Sequence, residues 1–121
     1  MVGIKVIGLP QATAYMTAKV KLAMNNAEKG IKQAGFFIEG EVKESIAGQK
    51  AEPKSVDTGR FLNSVFTQFG NLSASISSSV NYARALEYGT TRIKPRHHFI
   101  NTAQRNKHKV QEFIQAEVNK I

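Results

Sequence analysis

Three histidines, His97, His98 and His108, are the side chains of this sequence that ordinarily titrate near neutral pH, so a general base or an imidazole metal site would be built on them. On an extended chain the adjacent His97 and His98 point to opposite sides. No acidic residue lies close enough in sequence to complete a zinc shell with them, and cysteine is missing altogether. Asp57, Ser64 and His98 have the residue types of a nucleophilic triad. No nucleophile-elbow motif surrounds Ser64, and in a serine-rich chain such combinations arise by chance. The nine acids present no pair spaced for acid–base work, and no glycine-rich phosphate loop occurs. These residue types point away from catalysis. No metal, cofactor or small-molecule substrate is expected.

Charge is the more informative signal. Seventeen basic against nine acidic side chains give a formal net charge of +8 over 121 residues, which favours acidic partners: nucleic acid, an anionic surface or an acidic protein face. Arg84, Arg92, Lys94, Arg96, Arg105, Lys107 and Lys109 face Glu87 alone within residues 84–109. Glu39, Glu41, Glu44, Glu52 and Asp57 stand against Lys43, Lys50 and Lys54 within residues 39–57. That distribution predicts a molecule with unlike ends. The basic stretch is the candidate footprint for DNA phosphates or an acidic partner; a solvated basic face without a dedicated ligand is the plainer reading. No helix-turn-helix, zinc-finger or base-stacking motif accompanies it, so any DNA contact would be independent of sequence.

The elements that must position these residues follow from length and periodicity. A chain of 121 residues, 41% apolar and 21% charged, is expected to form one domain that buries roughly 68% of its unfolded surface. Without a long apolar run or a charged-then-apolar start, it is expected to be a soluble protein of the cytosolic type. Val2, Ile4 and Val6 alternate with Gly3 and Lys5, a strand pattern. From Thr13 to Ile46 the period becomes helical, with Val20, Met24, Ala27, Ile31, Ala34, Ile38 and Val42 on one stripe and Gly48 as the stop. Such a helix would be about 50 Å long, against roughly 35 Å for a compact domain of this size. It therefore either breaks, at Gly30 or Gly35, or overhangs and is covered by another subunit.

Asp57 or Thr58 is placed to cap a short helix through Ser64. Gly70-Asn71 is a two-residue hairpin signal between strands at 66–69 and 72–80. In the second strand Leu72, Ala74, Ile76, Ser78 and Val80 lie on one face and four serines on the other. Asn81 is placed to cap a helix from Tyr82 to Tyr88 that Gly89 ends, and Thr90 to His98 is a basic loop around Pro95. A last helix, Phe99 to Lys120, carries Ile100, Ala103, Val110, Ile114, Val118 and Ile121 on one stripe. The expected fold class is α+β, with a long N-terminal and a C-terminal helix packed on a small antiparallel sheet made of the 66–80 hairpin and the N-terminal strand.

Three motifs in the second half stand in a telling order: Asp57-Thr58-Gly59-Arg60-Phe61-Leu62-Asn63-Ser64, then Tyr82-Ala83-Arg84-Ala85-Leu86-Glu87-Tyr88-Gly89-Thr90, then Pro95 through Phe99, Ile100 and Ala103. Together they resemble the head–tail connector, or tail-completion, proteins of long-tailed double-stranded DNA phages and their prophages. The resemblance covers about residues 57–103. It implies one connector domain over residues 1–121 and a structural, non-enzymatic role in the virion neck after assembly in the host cytoplasm. It further implies a ring, commonly of six copies, that touches neck and tail-tube or tail-terminator proteins while DNA passes through. Asp57, Thr58, Gly59, Arg60, Tyr82, Glu87, Tyr88, Gly89, Thr90 and Phe99 would be its structural motif residues. Glu87 is a candidate partner for Arg60 or Arg84. His98 stands where the family usually has proline, so the junction with the last helix is expected to be looser here. The alternative is a sequence-independent nucleic-acid-binding domain, which rests on charge alone.

Overall fold

The computed structural model describes residues 2–7, 18–55 and 59–120. The elements are β1 (Val2–Ile7), α1 (Ala18–Ile46), α2 (Arg60–Ser64), β2 (Val65–Gly70), β3 (Ser73–Ser78), α3 (Ala83–Tyr88), α4 (His98–Arg105) and α5 (Lys107–Val118). Both β1 and β2 pair antiparallel with the central strand β3. The helices cover one face of this sheet, and the fold is the α+β arrangement of a long helix, a small antiparallel sheet and C-terminal helices.

Helix α1 runs unbroken for 29 residues, about 43 Å. Ala27, Ile31, Ala34, Ile38, Val42 and Ile46 are each at most 1% exposed, one side chain per turn buried against the sheet and α5. The glycines do not break the helix because two of them face close neighbours. A Cβ on Gly30 would lie 2.6 Å from Ile114 Cα and 2.8 Å from the Phe113 carbonyl oxygen; one on Gly35 would crowd Phe69, Ala74 and Thr67 at 3.1–3.2 Å. Gly40 has open space around it. The helix ends in a Schellman motif: Gly48 is at φ 84°, its N–H reaches the Ser45 carbonyl and that of Gln49 the Glu44 carbonyl. Helix α5 packs antiparallel on α1, with Phe37 and Phe113 centroids 5.3 Å apart and Gln33 Nε2 donating to Glu117 Oε1 at 2.9 Å. It ends opposite the Lys29–Gln33 turn, so the first turns of α1 run past it. Val20, expected in the buried stripe, is for that reason 45% exposed, and Leu22 is 48% exposed. Residues 13–17 of the expected helix lie outside the described residues.

In the hairpin the register differs from expectation. Gly70 pairs with Ser73, so Asn71 and Leu72 form the turn, with Leu72 at φ 52°. Burial of the Leu72 side chain, 5% exposed, offsets a backbone conformation that is unfavourable for leucine. Phe69 then faces Ala74 rather than Leu72. The shift is by an even number of residues, so each side chain keeps its expected face. Ala74, Ile76 and Ser78 point into the core. The opposite face is less open than expected: Ser77, between Gly3 and Phe66 in the register, is buried.

The single terminal helix expected over 99–120 is two helices. Asn106, at φ −109°, separates α4 from α5, and its side-chain amide and its backbone N–H both donate to the Thr102 carbonyl. This self-bonding is why asparagine interrupts helices. The inward face of α4 is therefore His98, Phe99, Thr102 and Asn106. Ile100, assigned to the buried stripe, is 36% exposed. Ala103, Val110, Ile114 and Val118 are half-buried, and Ile121 lies outside the described residues.

Glycine contacts along α1 make a paired prediction. Gly40→Ala should raise unfolding free energy by about 0.5–1 kcal/mol, the helix-propensity difference with no clash. Gly30→Ala should lower it, because the α5 backbone blocks the added methyl. Urea unfolding of the two variants measures both signs.

Candidate functional site

The segment joining α3 to α4 begins with Gly89 at φ 78°. A Cβ there would lie 2.7 Å from Pro95 Cδ and 2.9 Å from the Ile93 carbonyl oxygen, so the loop folds back against this glycine. Thr90 closes the turn, its N–H donating to the Ile93 carbonyl and its Oγ1 accepting from the N–H groups of Arg92 and Ile93. At the far side the Arg96 N–H donates to the Leu86 carbonyl at 2.7 Å. Glu87, 1% exposed, then reaches from α3 to the start of α4: Oε1 accepts from Phe99 N–H and Oε2 from Ile100 N–H, both at 2.9 Å. A carboxylate satisfying two first-turn N–H groups stabilises that helix end through hydrogen bonds and the helix dipole. Glu87 therefore joins the second and third sequence motifs through backbone, in place of the expected partner Arg60 or Arg84.

His98, fully buried, locks the same junction from inside. Its Nδ1 lies 2.8 Å from Ser45 Oγ on α1 and its Nε2 2.6 Å from Ser55 Oγ. Donor counting fixes the directions. Ser45 Oγ donates to Glu52 Oε1 at 2.6 Å, so it accepts from His98 Nδ1–H; His98 Nε2 then accepts from Ser55 Oγ, which accepts from Arg96 Nη1 at 2.7 Å. Arg105 closes the chain with two 3.0 Å hydrogen bonds to the Glu52 carboxylate, joined by Asn101 Nδ2 at 3.2 Å. Loop 47–55, α1, α4 and the basic loop are thereby tied into one polar chain. At this junction two hydrogen bonds of His98, the one to Ser45 fully buried, and the Glu87 cap hold the start of α4.

This chain has the wiring of a serine–histidine relay but not its electrostatics. Burial, opposed by Glu52 and reinforced by the Arg96 cation, lowers the His98 pKa to about 4. Ser45 stands between the imidazole and the carboxylate, so no anion touches the ring to stabilise an imidazolium. His98 is thus a poor proton acceptor at neutral pH. Burial raises the Glu52 pKa, and hydrogen bonds from Arg105, Ser45 and Asn101 outweigh it to leave the value at about 2. Ser64, the other member of the sequence triad, is engaged elsewhere, donating to the Phe61 carbonyl and bonded to Ser78 Oγ. Asp57 and Thr58 lie outside the described residues, while Gly59 takes φ 80° before α2. The N-cap of α3 is Tyr82, with no side-chain cap, so Asn81 does not have the capping role its position suggested. Among the described residues no three His, Asp or Glu side chains cluster as metal ligands.

The seven candidate contact residues divide into three groups. Arg96 and Arg105 are structural, bonded as above, with Arg96 also donating to the Lys54 carbonyl. Lys109 pairs with Glu112 at 3.8 Å and lies over the Phe113 ring. Arg84, Arg92, Lys94 and Lys107 are exposed and form no ion pair with the described residues. Arg92 and Lys94, with Pro53, Ile93, Pro95 and Arg96, line a shallow depression of about 330 Å³. The acidic stretch does not make an opposite pole: Glu39 pairs with Lys43, Glu41 and Glu44 with Lys50, and Glu52 with Arg105. Of these pairs only Glu52–Arg105 joins the acidic stretch to the basic one.

The apolar surface is also uneven. Phe36, 60% exposed, meets Phe69 edge to face at 5.2 Å beside strand β2, while Tyr82, Tyr88 and Ile93 are exposed around α3 and the basic loop. A groove of about 780 Å³ lies on the other side of the sheet's helical layer, between β1 and α4–α5. Compared with known protein families, with curated proteins and with solved structures, the chain matches none. The motif order is therefore the sole link to a phage connector, and it bears on function as a proposal.

The two shifted groups set a pH dependence. The unfolded chain takes up a proton on His98 near pH 6.5 and the folded chain only near 4, so this contribution is complete above about pH 6.5 and is lost as pH falls toward 4. Between pH 7 and 5 the loss should be about 2 kcal/mol. Glu52 continues the decline between about 4.5 and 2. Urea unfolding across this range should show the slope; a flat profile from pH 7 to 5 would contradict it.

Proposed function

We propose that the chain is a structural protein of the phage neck, forming a ring that joins the DNA-filled head to the tail and lets DNA pass. The observation that carries this reading is that the residues of the ordered motifs act as scaffold. Gly59 and Gly89 take positive φ, and Glu87 and Phe99 meet in one backbone cap. Around that junction the surface presents cations and apolar side chains, Arg92 and Lys94 with Tyr88 and Ile93, as a contact face for other virion proteins does. Ring partners would be further copies of the chain; axial partners would be connector and tail-tube or tail-terminator proteins.

A second reading, a sequence-independent nucleic-acid binder, is favoured by the exposed cations Lys54, Arg84, Arg92 and Lys94, which form no ion pair with the described residues. It requires a solitary chain that binds duplex DNA with steep salt dependence.

Particles made without this protein should accumulate as full heads beside unattached tails under electron microscopy; normal tailed particles would overturn the neck assignment. Replacing both Arg92 and Lys94 by alanine should leave thermal unfolding unchanged and reduce head–tail joining. Arg105→Ala should lower stability by about 2 kcal/mol instead, because it removes the cation and two hydrogen bonds from the buried Glu52 carboxylate.

A further inference from the structure

The sheet has two edges, and they differ in kind. Strands β1 and β2 each pair with β3 alone among the described residues, so each has one side whose backbone N–H and C=O groups no described strand takes. Because both are antiparallel to β3, they run in the same direction. A sheet of this form can be extended without a two-fold axis: β2 of one copy laid beside β1 of the next makes a parallel ladder and leaves the same two edges free for the following copies. Such head-to-tail contacts close into rings when the rotation per copy permits.

The side chains next to the two edges match this pairing. On the helical side of β2 the Phe36 and Phe69 rings project, 60% and 39% exposed. On the helical side of β1 lies the groove of about 780 Å³, whose apolar floor includes Ile4, Ile38 and Ile114 and whose rim includes Lys107 and Gln111. Projection and groove sit in the same layer, beyond opposite edges. Continuing the sheet therefore brings the aromatic pair of one copy toward the groove of its neighbour. A two-fold β2–β2 pairing would instead stack Phe36 and Phe69 on themselves and leave the groove empty. Exposed edge strands join other chains unless blocked, and neither proline nor lysine occurs in Val65–Gly70 to block this one.

We infer that the β2 edge with Phe36 and Phe69 is one half of a head-to-tail interface whose other half is the β1 edge and the groove between β1 and α4–α5 of a second copy of this chain. The inference deepens the ring reading above and rests on it. Aromatic rings supply apolar area with little loss of side-chain freedom, which suits an interface centre.

The chain has no cysteine, so introduced thiols report contacts without background. Lys5→Cys and Gln68→Cys, exposed on β1 and β2, should together give a ladder of linked multimers with a short thiol cross-linker, whereas either alone should give none. Phe36→Glu, at an exposed helix position, should abolish both the ladder and the multimer mass seen by light scattering, with thermal unfolding of the single chain unchanged. Linked dimers from Gln68→Cys alone would show two-fold pairing and overturn the inference. A wild-type multimer that survives Phe36→Glu and yields no ladder would overturn it too while leaving the ring intact. A wild-type chain that stays single with its virion neighbours present would overturn the ring reading and this inference together.

Discussion

A neutral imidazole held between two serine hydroxyls decides where four segments of this chain meet. His98 is buried on the first turn of α4, Ser45 is in the last turn of α1, and Ser55 lies in the segment after it. A buried imidazole with an unsatisfied nitrogen would be strongly destabilising, so loop 47–55 must place Ser55 and Glu52 where they are for α4 to dock at all. Arg96 and Arg105 complete the chain at either end, and in doing so they fix the basic loop and the face of α4. The exposed cations of that loop owe their position to the side chains beneath them.

The outer architecture was legible because it depends on periodicity. The stripe from Ala27 to Val42, the alternation from Ala74 to Ser78 and the stops at Gly48 and Gly89 are consequences of burial and positive φ that a single sequence displays. The errors have local causes. Asn106 bonds its own helix and splits it, and Leu72 accepts a left-handed turn because its side chain is buried. The inner face of α4 is half polar, His98, Thr102 and Asn106, so a search for apolar spacing chose Ile100 instead.

The polar chain was not legible, since its members are 53 positions apart between Ser45 and His98 and again between Glu52 and Arg105. Serine is common throughout this sequence, and nothing in the spacing singles out Ser45 or Ser55. One signal did exist: His98 stands beside the apolar Phe99 at the expected start of the last helix, and a histidine buried there needs hydrogen-bond partners. Likewise Arg60 and Arg84 are the partners that charge alone suggests for Glu87, while the helix terminus twelve residues on, with free N–H groups, is the stronger attraction. A count of charges along the chain likewise does not show that Arg105 pairs with Glu52, 53 positions away, while Arg84, Arg92, Lys94 and Lys107 are exposed and form no ion pair with the described residues.

The most direct test of this account is the protonation and tautomeric state of His98, read from the ring nitrogen shifts in NMR spectra of the labelled protein. The account predicts a neutral ring at pH 6 with the proton on Nδ1 and Nε2 as a hydrogen-bond acceptor. An imidazolium at that pH, or a neutral ring protonated on Nε2, would contradict the directed chain from Arg96 to Glu52 and with it the explanation of how the junction is held.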